Sequence, residues 1–378
     1  MDERRTTIPL FKVGMSPAVD KPLLETLHSG YVGQGPRAEE FEHAIEAIVG
    51  NPVIALNSGT AALTLAFRLA GVRPGLEVVS TPMTCTATNM AILAAGGEII
   101  WTDIDPLTGE IDPSDVEEAI SIYTKAICCV DWGGAPCDLY ALKTVAKGYG
   151  VKLVEDAACS FGASYEGKPI GSIADFTCFS FQAIKHITTV DGGALAVLDR
   201  GALERGRLMR WFGIDRNCPG RDIRCEGDIH EWGYKFHMND VNATIGLAQL
   251  AARVNEKSIA ASRSNAAWYD MAFAWREIKS VRPVPHPPGR DSTFWLYTIL
   301  CDQRDELVKH LQSWNIQASQ VHRRNDLMRC FRPYLDRRLP GVDEFSRRQC
   351  SIPAGWWVSE ADREHIMKAI ESFDRGEK

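Results

Sequence analysis

Residues 176–193 read FTCFSFQAIKHITTVDGG. An apolar run, Phe176–Phe181, passes into a polar turn that ends in two glycines, and one lysine, Lys185, stands in that turn. The run has the length of a strand and turn residues bound it on its C-terminal side. A lysine beside apolar neighbours loses hydration, and its free amine becomes available as a nucleophile toward carbonyl carbons. Alone, the pattern fits a surface lysine at a strand end better than it fits a nucleophile.

On both sides of this stretch, short apolar runs alternate with helical patterns. Strand candidates are Val53–Leu56, Glu77–Thr81, Glu98–Thr102, Ala126–Val130, Lys152–Glu155, Phe176–Phe181 and Ala194–Val197. Apolar spacing predicts helices over 37–49, 60–70, 86–95, 113–121 and 138–148. Several of the strands are apolar on both faces, as a sheet covered by helices on each side requires. The expected fold class is therefore α/β, with a mostly parallel sheet whose ligands sit beyond the carboxyl ends of its strands. Further on, a long helical pattern runs from Asn239 to about Ala274. The segment VRPVPHPPG (281–289) breaks it and reads as a connection. A strand at Phe294–Leu300, a helix at Arg304–Trp314 and a helix at Glu360–Phe373 make a smaller α+β domain. The expected division is an N-terminal arm (1–36), a large domain (37–251) and a small C-terminal domain (252–378).

Composition excludes several classes of function. The 378 residues carry a net charge of −7 and are 45% hydrophobic. The basic clusters, such as Arg4-Arg5 and Arg323-Arg324, are too short to bind a duplex, so no nucleic-acid partner is expected. No uncharged apolar stretch approaches the ~18 residues of a membrane span. The N-terminus lacks the apolar segment of a signal peptide, which points to the cytoplasm. The eleven cysteines form no CxxC pair and no zinc-spaced Cys/His set, so no metal is expected and the thiols read as small core residues.

Two further constellations give the lysine its meaning. Asn57-Ser58-Gly59-Thr60 follows a strand and opens a helix. Unpaired N–H groups at a helix start suit a phosphate, with Ser58 or Thr60 adding a hydroxyl and Gly59 allowing close approach. An ordinary N-cap has the same sequence. Glu155-Asp156 ends the strand 152–155, where a carboxylate reaches a ligand; a helix cap is the plainer reading. In pyridoxal phosphate (PLP) enzymes an Asp so placed keeps the pyridine nitrogen protonated and the ring an electron sink.

The order decides between these readings: a phosphate-binding helix start, an Asp about a hundred residues on, and a lysine 29 residues after the Asp. This layout is similar to that of fold-type I PLP enzymes. The strings NSGTAAL, EDAACSFGA, FSFQAIKHITTVDGG and GYKFHMNDVNATIGLAQL resemble the DegT-type sugar aminotransferases, as do SGYVGQGPRAEEFE near the N-terminus and VHRRND in the small domain. The resemblance spans nearly the whole chain, and several long motifs in order are far more specific than one short pattern.

That resemblance implies a set of roles. Lys185 matches the Schiff-base lysine and Asp156 the partner of the pyridine nitrogen, while Ser180 with Ser58, Gly59 and Thr60 matches the phosphate cup. It also implies a homodimer in which Gly233–Asp240 of one subunit completes the other's site. Gly33 and Gln34 of the N-terminal loop, His186, and His322 and Arg323 of the VHRRND segment are the substrate-side candidates. His186 adjoins the lysine, and neighbours on a strand point to opposite faces, so its first reading is structural. Three positions depart from the family pattern. Cys85 stands where an aromatic residue stacks on the ring, which leaves the stacking group unassigned. Cys159 replaces a Gln or His near the cofactor's 3′-oxygen, and a thiol is a weak donor. Lys235 replaces an Asn that reaches the neighbour's phosphate.

The implied activity is transfer of an amino group, with glutamate the expected donor, through pyridoxamine phosphate to a nucleotide-linked keto sugar. Cyclitol ketones are an alternative acceptor. A sugar dehydratase of the same family would carry His in place of Lys185. A non-catalytic PLP-binding regulator is the alternative of another class.

Overall fold

The computed structural model describes residues 7–216, 222, 225, 228–334 and 337–377. Seven strands form the central sheet: β1 (Val53–Leu56), β2 (Glu77–Ser80), β3 (Glu98–Trp101), β4 (Thr124–Val130), β5 (Lys152–Asp156), β8 (Phe176–Ser180) and β9 (Gly193–Val197). The two-residue strands β6 (Ser164–Tyr165), β7 (Lys168–Pro169) and β11 (Arg290–Asp291) make a separate ladder. The sheet order is β1-β9-β8-β5-β4-β2-β3. Only β9 opposes the rest: it pairs antiparallel with β1 and with β8, while β8-β5-β4-β2-β3 are parallel. The mostly parallel α/β sheet expected from the sequence is present.

Helices cover both faces, which is why β1 and β9 are buried at every position. α3 (Gly59–Leu69), α4 (Thr86–Ala94) and α7 (Arg200–Met209) pack on one side. α2 (Pro36–Val49), α5 (Pro113–Ala119), α6 (Leu139–Tyr149) and α8 (Asp240–Ala251) pack on the other, around Phe41, Leu139 and Ala243. Because β8, β5, β4, β2 and β3 run parallel, their carboxyl ends lie along one edge of the sheet.

The remaining elements differ from expectation in two ways. The helical pattern from Asn239 is two helices, α8 and α9 (Val254–Trp275), meeting at Arg253, whose φ of 56° lies in the left-handed region. Apolar spacing continues across the break, so periodicity could not show it. The Pro-rich connection contains a strand, β10 (Val281–Pro283), which pairs with β12 (Tyr297–Cys301) and lies at the edge of a sheet completed by β13 (Gln349–Ile352). An edge position tolerates Pro283, which has no N–H to donate. The N-terminal segment packs against two parts of the chain. Ile8 bridges to Ile316 and is buried in the small-domain core, while α1 (Asp20–His28) follows Val19, which packs on Ile245 and Ala248 of α8. α10 (Arg304–Ser313), α11 (Pro340–Arg348) and α12 (Glu360–Asp374) complete the chain.

Candidate active site

The carboxyl ends of five strands open into one cavity of about 370 Å³. β1 leads to Ser58, Gly59 and Thr60; β2 to Thr84 and Cys85; β4 to Asp131 and Trp132. β5 ends at Asp156 and β8 at Ser180, ahead of Lys185. All of these residues line the cavity, and Trp295 and His322 close it from the small domain.

The phosphate turn is held together by missing side chains. Ser58 caps α3, its hydroxyl accepting from the Ala61 N–H at 3.0 Å. A Cβ on Gly59 would stand 2.9 Å from the Ser180 Cβ. One on Gly193 would stand 2.3 Å from the Ser58 carbonyl oxygen and 2.6 Å from the Gly59 nitrogen. Two glycines, 134 positions apart, therefore let the start of α3 nest against Ser180 at the end of β8. The N–H groups of this helix start, with the hydroxyls of Thr60 and Ser180, are the natural seat for a phosphate.

Asp156 is 5% exposed. Its Oδ2 accepts from Thr88 Oγ1 at 2.6 Å and its Oδ1 from the Ala158 N–H at 3.1 Å. Burial pushes its carboxyl above the usual carboxylate range, against the pull of those donors and of Lys185. A buried anion in this condition gains most from a cationic partner. Lys185 sits in a turn, its N–H bonded to the Gln182 carbonyl. Its Nζ lies 3.2 Å from Cys159 Sγ and 3.8 Å from the centre of the Trp295 ring. Trp295 in turn donates to the Ile184 carbonyl at 3.1 Å and stacks on Phe11. Burial raises the Cys159 thiol to about 11 despite the nearby lysine, so the thiol is neutral and can act as a weak donor. His322 meets Trp132 edge to face at 5.9 Å. Burial and the Lys185 charge lower its pKa to about 4, so it is a neutral imidazole at pH 7.

Not every residue singled out in the sequence reaches the cavity. His186 does not line it: its Nε2 contacts Ser262 of α9 at 3.3 Å, and burial lowers its pKa to about 3. His186 thus packs toward α9 and is not among the residues that line the cavity. Arg323 is exposed and does not line the cavity, although its neighbour His322 does. Gly33 and Gln34 are also outside it. The Gly33 carbonyl accepts from the Asp240 N–H, and Gln34 accepts from Arg216 beside a crevice that includes Arg207 and Arg210. Lys235 is exposed over the Trp211 ring and lies outside the cavity of its own chain. Its carbonyl nonetheless accepts from Asn57, next to the phosphate turn.

The structure adds Thr88, Asp131, Trp132 and Trp295. The strand-end rule that picked out Asp156 applies equally to Asp131 and Trp132, which follow β4. Trp295 had no local signal, since its placement depends on how the small domain folds back.

Lys185, Asp156 and a helix start with adjoining hydroxyls are gathered on one sheet edge, and they are the kinds of group PLP requires of a protein: an amine, a buried carboxylate, and N–H and hydroxyl donors. The cavity fits that cofactor, and the protein is a PLP-dependent aminotransferase. It belongs to the DegT/DnrJ/EryC1/StrS aminotransferase family, whose model matches residues 16–371. Among solved structures, it superimposes on AtS13 of Actinomadura melliaura with a TM-score of 0.92 at 41% identity, covering 98% of this chain and 100% of that one. The sugar aminotransferase CalS13 of Micromonospora echinospora gives 0.91 at 40%, covering 97% and 99%. Spr1654 of Streptococcus pneumoniae, solved in a PLP form, gives 0.89 at 26%, covering 98% and 99%.

Proposed function

We propose that the protein moves an amino group from glutamate onto a nucleotide-linked keto sugar, as a homodimer with shared sites. The observation that carries this reading is the convergence of Lys185, Asp156 and the α3 start on one cavity, in a chain similar over nearly its full length to the sugar aminotransferase CalS13.

The bound cofactor supplies an electron sink for the carbon that bears the amino group. The chain supplies the rest. Lys185 would hold the cofactor through its Nζ, and its amine, when free, would be the group that takes a proton from the donor carbon and returns it. Asp156 would face the ring nitrogen and favour its protonated form, and is itself held in place by Thr88 and Ala158. The α3 N–H groups, Thr60 and Ser180 would bind the phosphate, and Cys159 would be a weak donor toward the ring's oxygen. Trp132, Trp295 and neutral His322 wall the cavity and limit water.

The shared site rests on Lys235, Gly33 and Gln34. They lie outside the cavity of their own chain; Lys235 and Gln34 are linked through Trp211 and Arg216, and Leu24, Leu27, Tyr31 and Val32 of the N-terminal segment are exposed. A second copy covering these residues would bring Lys235 to the partner's cavity, where its point charge pairs with a phosphate.

The test is to supply PLP-loaded protein with glutamate and, separately, nucleotide-linked keto sugars and cyclitol ketones. The expected result is equimolar amino sugar and 2-oxoglutarate. Transfer confined to cyclitol ketones, or loss of water from the sugar without transfer of nitrogen, would overturn the proposal.

A further inference from the structure

Behind Asp156 the sheet buries two more carboxyl groups. Asp131 follows β4 and is 1% exposed; Glu155 precedes Asp156 on β5 and is fully buried. The strands are adjacent, with Val130 opposite Asp156, and the Asp131 N–H donates to the Asp156 carbonyl at 3.2 Å. Cys129 lies opposite Glu155 in the ladder and Asp131 is two positions further on, so the two carboxyl groups belong to the same face of neighbouring strands, and burial, then the charge of Asp131, disfavours ionisation of Glu155. Asp131 lines the cofactor cavity and Glu155 lies behind it.

The donors around the pair show where its charge must be. Asp131 Oδ1 accepts from the Cys137 N–H at 3.1 Å, and its Oδ2 accepts from the Ser160 hydroxyl. Glu155 Oε2 accepts from Thr177 at 2.8 Å, while Oε1 meets no donor. The other titratable groups facing the pair are Asp156 and three thiols: the hydrogen bond with Cys129, then burial, raises Cys137; Cys129 is raised by burial against the pull of that bond; and burial raises Cys178. Among the described residues no cation faces the pair; Lys185 acts on Asp156 instead. Two adjacent ionised carboxylates without a cation are not stable in such a site, so one of them is protonated. Asp131 already accepts on both oxygens, which leaves Glu155 Oε1 as the atom with a proton to give.

We propose that Glu155 and Asp131 are a proton-sharing pair, Glu155 holding the proton and Asp131 the charge, and that this pair is a positioning device for Asp156. It ties the ends of β4 and β5 together and sets a second negative charge in the wall of the cavity. That charge favours the protonated form of the cofactor's ring nitrogen beside Asp156. The proposal rests on reading Asp156 as the partner of that nitrogen. Burial raises both groups of the pair above the carboxylate range, in keeping with a shared proton.

The two members should respond differently to isosteric replacement. Glu155→Gln keeps a donor toward Asp131 and an acceptor for Thr177. Asp131→Asn removes the charge and leaves the Glu155 proton without an anion. The readout is the absorption of the bound PLP as a function of pH. Asp131→Asn should lower the pH of the spectral transition by roughly one unit, the size of effect a neighbouring charge exerts, and Glu155→Gln should leave it in place. Equal behaviour of the two variants, or a shift in Glu155→Gln alone, overturns the proposal. Asp156→Asn is the control: if it too leaves the transition unmoved, the reading of Asp156 fails, whereas movement there and none in Asp131→Asn sinks the pair alone. Should Asp131→Asn not fold, infrared spectra still decide. The wild type at pH 7 should show a protonated carboxyl band that Glu155→Gln lacks, and absence of that band from the wild type refutes the assignment.

Discussion

Replacing Asp156 with asparagine separates its work on the cofactor from its place in the fold. Both of its oxygens accept hydrogen bonds, from Thr88 Oγ1 and from the Ala158 N–H. An asparagine offers one acceptor and one donor. Its oxygen can keep the Ala158 bond, and its amide then faces Thr88. The Thr88 hydroxyl lies 2.7 Å from Thr84 Oγ1, and either can be the donor. The chain can therefore reverse, with the amide donating to Thr88 and Thr88 to Thr84, so that no buried group is orphaned. The fold is expected to survive. Burial raises the Asp156 pKa, so the stability this group contributes is present below the ordinary carboxylate range and is lost as pH rises through the raised value. The asparagine has no such loss. The apo variant should match the wild type near pH 4 and equal or exceed it at pH 8. Catalysis should behave otherwise, because the ring nitrogen loses a charge-assisted contact worth about 1.5–3 kcal/mol, or roughly 10- to 150-fold in rate. The assay is kcat/KM for the glutamate half-reaction, followed by cofactor absorbance, beside thermal unfolding of the apo protein at both pH values. Turnover within about threefold of wild type would show that Asp156 is only a structural acceptor. A large fall in Tm at pH 8 would refute the hydrogen-bond reversal.

Lys185→Ala should abolish transamination while leaving Tm close to that of the wild-type apo protein. Borohydride reduction of the native protein should fix the cofactor on Lys185, and a label mapped to another lysine would contradict the assignment. Mixing inactive Lys185→Ala with inactive Lys235→Glu should restore part of the activity, since one site of the mixed dimer carries neither lesion. A dead mixture with proven subunit exchange, or an active monomer, rules out shared sites. Gly193→Ala should cost about 1–3 kcal/mol in urea unfolding and weaken PLP binding, because its Cβ meets the backbone of Ser58 and Gly59; unchanged PLP affinity would show that the phosphate turn does not depend on this contact.

The central sheet was legible because its determinants are local. β1, β4, β5 and β8 are short apolar runs with turn residues after them, and that pattern needs no knowledge of the partner strand. The residues at their carboxyl ends could be named for the same reason, once the strands were known to be parallel. Boundaries were less visible. The break at Arg253 keeps the apolar spacing intact, and β10 is masked by the prolines that an edge strand tolerates.

By itself the sequence determined that Lys185, Asp156 and the Ser58–Thr60 turn stand at strand or helix ends, where backbone geometry presents them to a ligand. Tertiary structure decided which distant groups meet them. Trp295 reaches Lys185 across 110 positions only because β12 and the small domain fold back over the sheet. Glu155 and Asp131 share one buried spot because β4 and β5 are neighbours in register. Likewise, His322 enters the cavity while Arg323 beside it faces solvent. Contacts of this kind depend on sheet order and register, and the side-chain pattern of a single segment carries no record of either.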